Sequence, residues 1–294
     1  MKGDFVFAVP GDLNTPTGGY TYDKRMIAEL RALGWRPQVL NLGEGFPHPT
    51  ALTRATARAQ LDDVPKGRAI VIDGLAFGVM PDEAEMLSKT HPLIAMVHHP
   101  LALENGVTPQ NAAALRESER RALSFTHAVI VNSQTTAHAL ADYGVPAERI
   151  TVARPGTDRA FVVPRHHEGP VALLTVGSLI PRKGYDVLIE ALAELIDLPW
   201  HITVVGDARD PATASQVRAA IEQYQLGPRT SLLGAVSASR LAELYPLSDL
   251  FVLPSRYEGF GMAYAEAIAH GLPVIGTTAG AIPETVPETV GVLV

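Results

Sequence analysis

No cysteine occurs among the 294 residues, which excludes a disulfide framework, thiolate metal sites and a cysteine nucleophile, and fits a reducing compartment. No apolar run approaches the ~18 residues that suggest a membrane-spanning helix. The amino terminus carries one early lysine, Lys2, and moves straight into a short strand pattern without a small-residue cleavage site. The expectation is a cytoplasmic protein, with peripheral contact to a membrane surface left open. Positive charge is scarce as well. The formal net charge is −7, which disfavours nucleic acid as a partner. The deficit is uneven, with 16 Lys and Arg against 17 Asp and Glu in residues 1–162 but 8 against 14 in the remainder. The small basic clusters Arg54/Arg58 and Arg116/Arg120/Arg121 read as solvated helix faces and not as a lipid-binding patch. No GxGxxG follows the first strand pattern, which argues against a nicotinamide dinucleotide. No HExxH occurs, and the pairs His98/His99 and His166/His167 are sequence neighbours, a poor spacing for shared coordination. No metal site is therefore expected.

What is present is a globular chain. Hydrophobic residues make up 47% and charged residues 19%, and the length suggests two domains, each able to bury its own core. Short β-branched runs recur at 5–10, 37–42, 69–73, 93–98, 128–132 and 150–153, then again at 171–176, 202–206, 231–233, 250–253, 273–276 and 291–294. Helical patterns alternate with them, the clearest at 22–33, with Met26, Ile27, Leu30 and Leu33 on one face and Gly34 as C-cap. Strands alternating with helices imply an α/β protein with parallel sheets. The polar stretch 163–170, bracketed by prolines, is the expected linker between a first domain at 1–162 and a second at 171–294. A ligand cleft is expected between the sheets, at the carboxyl ends of their strands.

Three glycine-bearing turns stand at strand-to-helix junctions. Gly18-Gly19 follow the first strand; their backbone can approach an anion or a sugar, though paired glycines are equally ordinary turn residues. Gly177 through Gly184 include the adjacent cations Arg182 and Lys183 at a helix entrance. Fixed cations there would stabilise the charge that develops on a leaving nucleoside diphosphate. The third turn, Glu258-Gly259-Phe260-Gly261-Met262, opens an alanine-rich helix that carries Glu266 eight residues after Glu258. Its bare N–H groups suit a diphosphate, and the two carboxylates suit hydroxyls: Glu258 those of a sugar, Glu266 those of a ribose. Finally, His98 and His99 end an apolar strand. Alternation points them in opposite directions, so one can face the cleft and meet a transferring sugar or an acceptor.

Together these motifs resemble the retaining glycosyltransferases of family 4, which have the GT-B fold of two facing Rossmann-like domains. The most specific part is the pair Glu258 and Glu266, followed by Ala269-His270-Gly271-Leu272-Pro273-Val274-Ile275-Gly276 and the segment Gly280 to Glu284. Gly18-Gly19 match the family's amino-terminal glycine loop, and Val205-Gly206-Asp207 a strand-end turn on the nucleotide side. The resemblance implies that the first domain binds the acceptor and the second the nucleotide sugar. It assigns Glu266 to the ribose, Glu258 with the Phe260, Gly261 and Met262 amides to the sugar and diphosphate, Lys183 to the phosphates and His98 to the sugar. It also implies retention of anomeric configuration without a cofactor or catalytic metal, with a diphosphate oxygen helping to deprotonate the acceptor. Two departures stand out. Gly177 is followed by Ser178 where members often carry arginine, so Arg182 is expected to supply that charge. The sequence ends at Val294, where members continue through further helices, so a truncated second domain is expected.

The expected reaction is hexose transfer from a UDP-, GDP- or ADP-sugar to a hydroxyl of a carbohydrate, lipid-linked or small-molecule acceptor. One alternative is a non-catalytic nucleotide-sugar binder or inactive fragment; another is an epimerase or phosphorylase on the same fold. Base contacts in such folds come largely from backbone around segments such as Leu233-Gly234-Ala235-Val236, which leaves the base open. Acceptor choice belongs to loops such as 46–53 and 100–110.

Overall fold

The computed structural model describes residues 3–15, 17–104, 107–160, 162 and 169–294. The chain divides into two compact units, Met1–Pro155 and Gly156–Val294. Of the expected linker 163–170, residues 163–168 lie outside the described residues.

The first unit is a six-stranded sheet in the order β2-β1-β3-β4-β5-β6, every pairing parallel. Its strands are β1 (Asp4–Val9), β2 (Arg36–Asn41), β3 (Ala69–Asp73), β4 (Leu93–Val97), β5 (Ala128–Val131) and β6 (Ile150–Val152). The helices are α1 (Gly18–Ala32), α2 (Ala51–Asp62), α3 (Gly74–Phe77), α4 (Pro81–Leu87), α5 (Pro109–Ser124) and α6 (Gln134–Ala139). Strands of a parallel sheet are covered on both faces, which is why β1 and β3 read as nearly unbroken apolar runs. Phe7, Ala8 and Ile70 are wholly buried.

Helix α1 begins four residues before the sequence pattern predicts. Thr17 caps it by accepting the Tyr20 N–H at 3.1 Å, and this hydrogen bond outweighs the low helix propensity of Gly18 and Gly19. The two glycines therefore form the first helical turn and not a loop ahead of it.

Helix α5 contributes Glu119, which is 1% exposed. Its Oε2 accepts the Leu101 N–H at 3.0 Å, while Oε1 has no partner among the described residues. Burial pushes this carboxyl up to about 8, against the opposing effect of the Leu101 N–H. A folded-state value above the ordinary one means that its contribution to stability is complete below about pH 4.5 and is lost as the pH rises through about 8. The amide of Glu119→Gln accepts the same N–H and never ionises. This variant is expected to melt above the parent at pH 9 and together with it at pH 5, read by thermal unfolding at both values.

The second unit repeats the architecture with the order β12-β11-β10-β7-β8-β9, again all parallel. Its strands are β7 (Val171–Val176), β8 (Trp200–Val205), β9 (Thr230–Gly234), β10 (Leu250–Val252), β11 (Val274–Gly276) and β12 (Gly291–Leu293). Between them run α7 (Tyr185–Glu194), α8 (Pro211–Gln223), α9 (Ala238–Leu244), α10 (Met262–Ala269) and α11 (Ile282–Thr285). Side chains of β7 alternate between two apolar layers: Leu173 packs with Ile202, Leu188 and Val217, and Leu174 with Phe251, Tyr264 and Val274. The chain builds outward from β7 through β8 to β9, then returns to place β10 on the other side of β7. The turns after β7 and β10 consequently leave the same sheet edge side by side, at the switch point where open α/β sheets bind ligands.

Candidate nucleotide-sugar site

The turn after β7 is fixed by a close backbone approach. A Cβ on Gly206, after β8, would stand 1.8 Å from the Gly177 carbonyl oxygen, so only glycine fits where these strand ends meet. Gly177 N–H donates to Val205 O at 2.8 Å, and the Tyr185 hydroxyl, buried at the start of α7, donates to Gly177 O. Gly177 and Gly206 thus shape the turn through backbone contact.

Two helix starts differ from the others in what they offer. Helices α1, α2, α5, α6, α8 and α9 each begin with Thr, Ser or Asp accepting a first-turn N–H. Helices α7 and α10 begin instead with Gly184 (φ +68°) and Gly261 (φ +94°) in the left-handed region, with no side-chain cap. Short α4 and α11 lack one as well. The uncapped amides of α7 and α10 flank the switch point and leave partial positive charge where a diphosphate can be received. Phe260, Gly261 and Met262 lie at the second of these starts.

Glu258 sits between them. Its side chain is 9% exposed and accepts from Lys183 Nζ at 2.7 Å, Arg182 Nη1 at 3.2 Å and Ser255 Oγ at 2.6 Å. Arg182 also donates to the Tyr257 carbonyl oxygen at 2.7 Å. Burial alone would raise the Glu258 carboxyl, but the Lys183 and Arg182 charges outweigh it and hold the group at about 2. Glu258 is therefore a carboxylate at any physiological pH, and it neutralises the cations that would meet phosphate. The sequence reading places these three residues on two turns; their convergence follows from β10 lying next to β7.

Glu266 lies one turn into α10. Its Oε2 accepts the Tyr245 hydroxyl at 2.9 Å, and the Tyr245 ring stacks on His270 at 4.2 Å and 18°. Burial raises the Glu266 carboxyl above its ordinary value, with Tyr245 and His270 opposing. A carboxylate held at one oxygen can accept at the other, as a pair of ribose hydroxyls requires. Neither Tyr245 nor Ser255 is among the site residues expected from the sequence. Tyr245 sits amid the apolar pattern of Leu241, Leu244 and Leu247, which reads as core.

In the first unit, His98 follows β4 and turns Nε2 toward two buried carboxylates, Asp23 Oδ1 at 3.2 Å and Asp73 Oδ2 at 3.3 Å. His99 pairs instead with Glu104 at 2.8 Å, so the two neighbours, both beyond the end of β4, have different partners. Gly19 on α1 borders the His98 ring. Among the described residues, Asp23, Asp73 and His98 form the one group of three Asp, Glu or His ligand atoms close enough to surround an ion, all within 4.8 Å. Burial opposes a charge on His98, but Asp23 and Asp73 outweigh it and raise the imidazole to about 10. With the imidazole protonated the group shares protons, whereas with the imidazole neutral the same three atoms can ligate an ion. A cavity of about 430 Å³, bordered by Lys89, His91 and His127, opens at the amino-terminal edge of the first sheet, away from all these residues.

Residues 157–294 match the family described as Glycosyl transferases group 1, and residues 76–161 match Glycosyltransferase Family 4. The chain belongs to glycosyltransferase family 4. The D-inositol 3-phosphate glycosyltransferase of Rhodococcus erythropolis is 31% identical over 214 residues, which cover 67% of this chain and 48% of that protein. The MMP alpha-(1->4)-mannosyltransferase of Mycolicibacterium hassiacum is 26% identical over 260 residues, covering 82% and 61%. The chain thus spans about half the length of these curated relatives. Among solved structures, sucrose-phosphate synthase from Thermosynechococcus elongatus superposes with a TM-score of 0.80 at 20% identity, covering 99% of this chain and 86% of that one. The Anabaena protein HepE, in complex with UDP and glucose, gives 0.72 at 19%, covering 98% and 85%. The fold is GT-B, with two parallel six-stranded Rossmann-like sheets. Among the described residues no helix is long and apolar enough to cross a membrane.

Proposed function

We propose that this chain is a retaining hexosyltransferase that moves a sugar from a nucleotide-diphosphate donor to a hydroxyl acceptor. The observation that carries the proposal is the meeting of Lys183, Arg182 and Glu258 at the switch point of the second sheet, flanked by two uncapped helix starts. Phosphates arriving there gain amides from α7 and α10 and cations from the β7 turn. Glu258, released from part of its pairing, accepts from hydroxyls of the transferring sugar, and Glu266 accepts from the ribose. Arg182 supplies the charge that Ser178 cannot.

As the glycosidic bond breaks, negative charge grows on the leaving diphosphate, and Lys183 stabilises that state more than the bound donor. The acceptor hydroxyl attacks from the leaving-group face and passes its proton to a diphosphate oxygen. No carboxylate nucleophile takes part, and Glu258 is not half of a hydrolase pair. The first unit binds the acceptor and contributes His98 to the transferring sugar. The acceptor is a carbohydrate, lipid-linked or small-molecule hydroxyl.

The test is incubation with UDP-, GDP- and ADP-hexoses and simple glycosides, followed by NMR of the products. UDP-glucose comes first, because HepE has the same fold and its structure holds UDP and glucose. The expected result is nucleoside diphosphate release that requires acceptor, with the donor's anomeric configuration kept in the product. Donor consumption without acceptor would indicate an epimerase, and dependence on inorganic phosphate a phosphorylase. Donor binding without turnover would indicate a non-catalytic binder.

A further inference from the structure

Three separate elements of the first unit bring their side chains together at a single ring nitrogen. His98 leaves the end of β4, Asp23 comes from the buried face of α1, and Asp73 ends β3. Both aspartates have fully buried side chains, and the imidazole is 13% exposed. Asp73 spends its other oxygen capping α3, accepting the Leu75 N–H at 2.7 Å. Gly19 covers the neighbouring ring edge, since a Cβ there would lie 3.2 Å from Cδ2 of His98. Tyr22 meets the ring edge-on at 5.5 Å and 85°, with its hydroxyl donating to Ala153 O at 2.7 Å. With Nε2 and Cδ2 covered, the Nδ1 side is the edge that can reach a ligand.

We propose that Asp23 and Asp73 are positioning residues that lock His98 as an imidazolium, Nε2–H inward and Nδ1–H outward, making it a permanent hydrogen-bond donor to the transferring sugar and never a base. The inference rests on the proposed sugar-binding role of His98 and deepens it.

Charge balance supports the lock. Two buried carboxylates beside a neutral imidazole would leave two negative charges in a low-dielectric interior, which is far costlier than binding protons. One proton on His98 removes the first. The second charge is reduced at Asp23, whose carboxyl burial pushes up to about 7 despite the opposing imidazolium. Asp73 stays below the ordinary carboxylate range: burial raises it, but the adjacent His98 charge and the Leu75 N–H outweigh that effect. The groups facing His98 from the elements packed against it are Asp23 and Tyr22 of α1, Asp73 of β3 and the Thr136 hydroxyl of α6, which donates to the His98 carbonyl at 3.5 Å. His99 is engaged with Glu104. An imidazolium has two N–H groups and no acceptor, so the acceptor's proton must leave by the diphosphate.

The experiment is long-range ¹H–¹⁵N NMR of the full chain with ¹⁵N-histidine, from pH 5 to 9, beside transfer assays over the same range. In the parent, both His98 nitrogens should stay protonated throughout. In Asp23→Asn, the imidazole should begin to titrate within the range, and kcat should fall about tenfold from pH 6 to pH 9 with little change in nucleotide KM. A parent His98 that titrates near 6.5, or one equivalent of divalent metal in the purified protein, would overturn the lock even if Asp23→Asn fails to fold. A locked imidazolium together with unchanged transfer in His98→Gln would overturn the sugar-binding role, leaving the donor site of the second unit intact.

Discussion

Replacing Glu258 by glutamine is expected to cost about 3 kcal/mol of stability at pH 7 and to abolish transfer. Two partly buried cations would lose the carboxylate that they share, since the Lys183 and Arg182 side chains are only 13% and 14% exposed. The acidity of Glu258 gives a similar figure. Its carboxyl is held at about 2 instead of the ordinary 4.5, and at ~1.4 kcal/mol per pKa unit the difference is again about 3 kcal/mol. Because the folded-state value is depressed, this stabilisation is present above about pH 4.5 and is lost as the pH falls through about 2. Urea unfolding of parent and variant should therefore differ most near neutrality and converge toward pH 2. A loss below 1 kcal/mol at pH 7 would show that both cations find equivalent solvation without Glu258.

Lys183→Ala separates binding from chemistry. The donor's diphosphate still meets the amides of α7 and α10 and the Arg182 charge, so the Kd of the nucleoside diphosphate should rise less than about tenfold. Transfer should fall further, by about 10²- to 10³-fold in kcat, the usual loss when one fixed donor to a developing charge is removed. Equal losses in Kd and kcat/KM, with kcat unchanged, would place the lysine's effect in the ground state. Titration calorimetry and initial rates on one preparation distinguish the two.

Much of the fold is legible because parallel strands are buried on both faces. Runs such as Ile70-Val71-Ile72 and Leu93-Ile94-Ala95-Met96-Val97 mark themselves, and β3 and β7 carry the expected bounds. Helix α1 is misread at its start because glycine pairs ordinarily signal loops, and the cap from Thr17 decides otherwise. The candidate site is partly legible too. Lys183 and Glu258 each stand at a glycine-bearing turn after a strand, and that local signal survives in sequence. Their ion pair spans 75 residues and exists because the chain reverses its direction of growth at β7, which no local pattern records.

Asp23 and Asp73 are hidden for different reasons. Asp23 sits beside Lys24 and Arg25 and looks like part of a solvated helix face, while its helical phase turns it inward. Asp73 looks like a residue that ends a strand and starts a turn, which it also is. Only the position of His98 gives either carboxylate a second purpose.

The proposed function requires a nucleoside-diphosphate site in the second unit. It is tested most directly by thermal unfolding of the full chain with UDP, GDP, ADP, NAD or no ligand, beside Glu266→Ala. A ligand that binds only the folded state stabilises it by about 2.7 kcal/mol at a hundred times its Kd. One nucleoside diphosphate is expected to raise the midpoint, NAD is not, and Glu266→Ala is expected to lose most of the rise. No rise with any diphosphate, or an equal rise in the variant, would contradict that site.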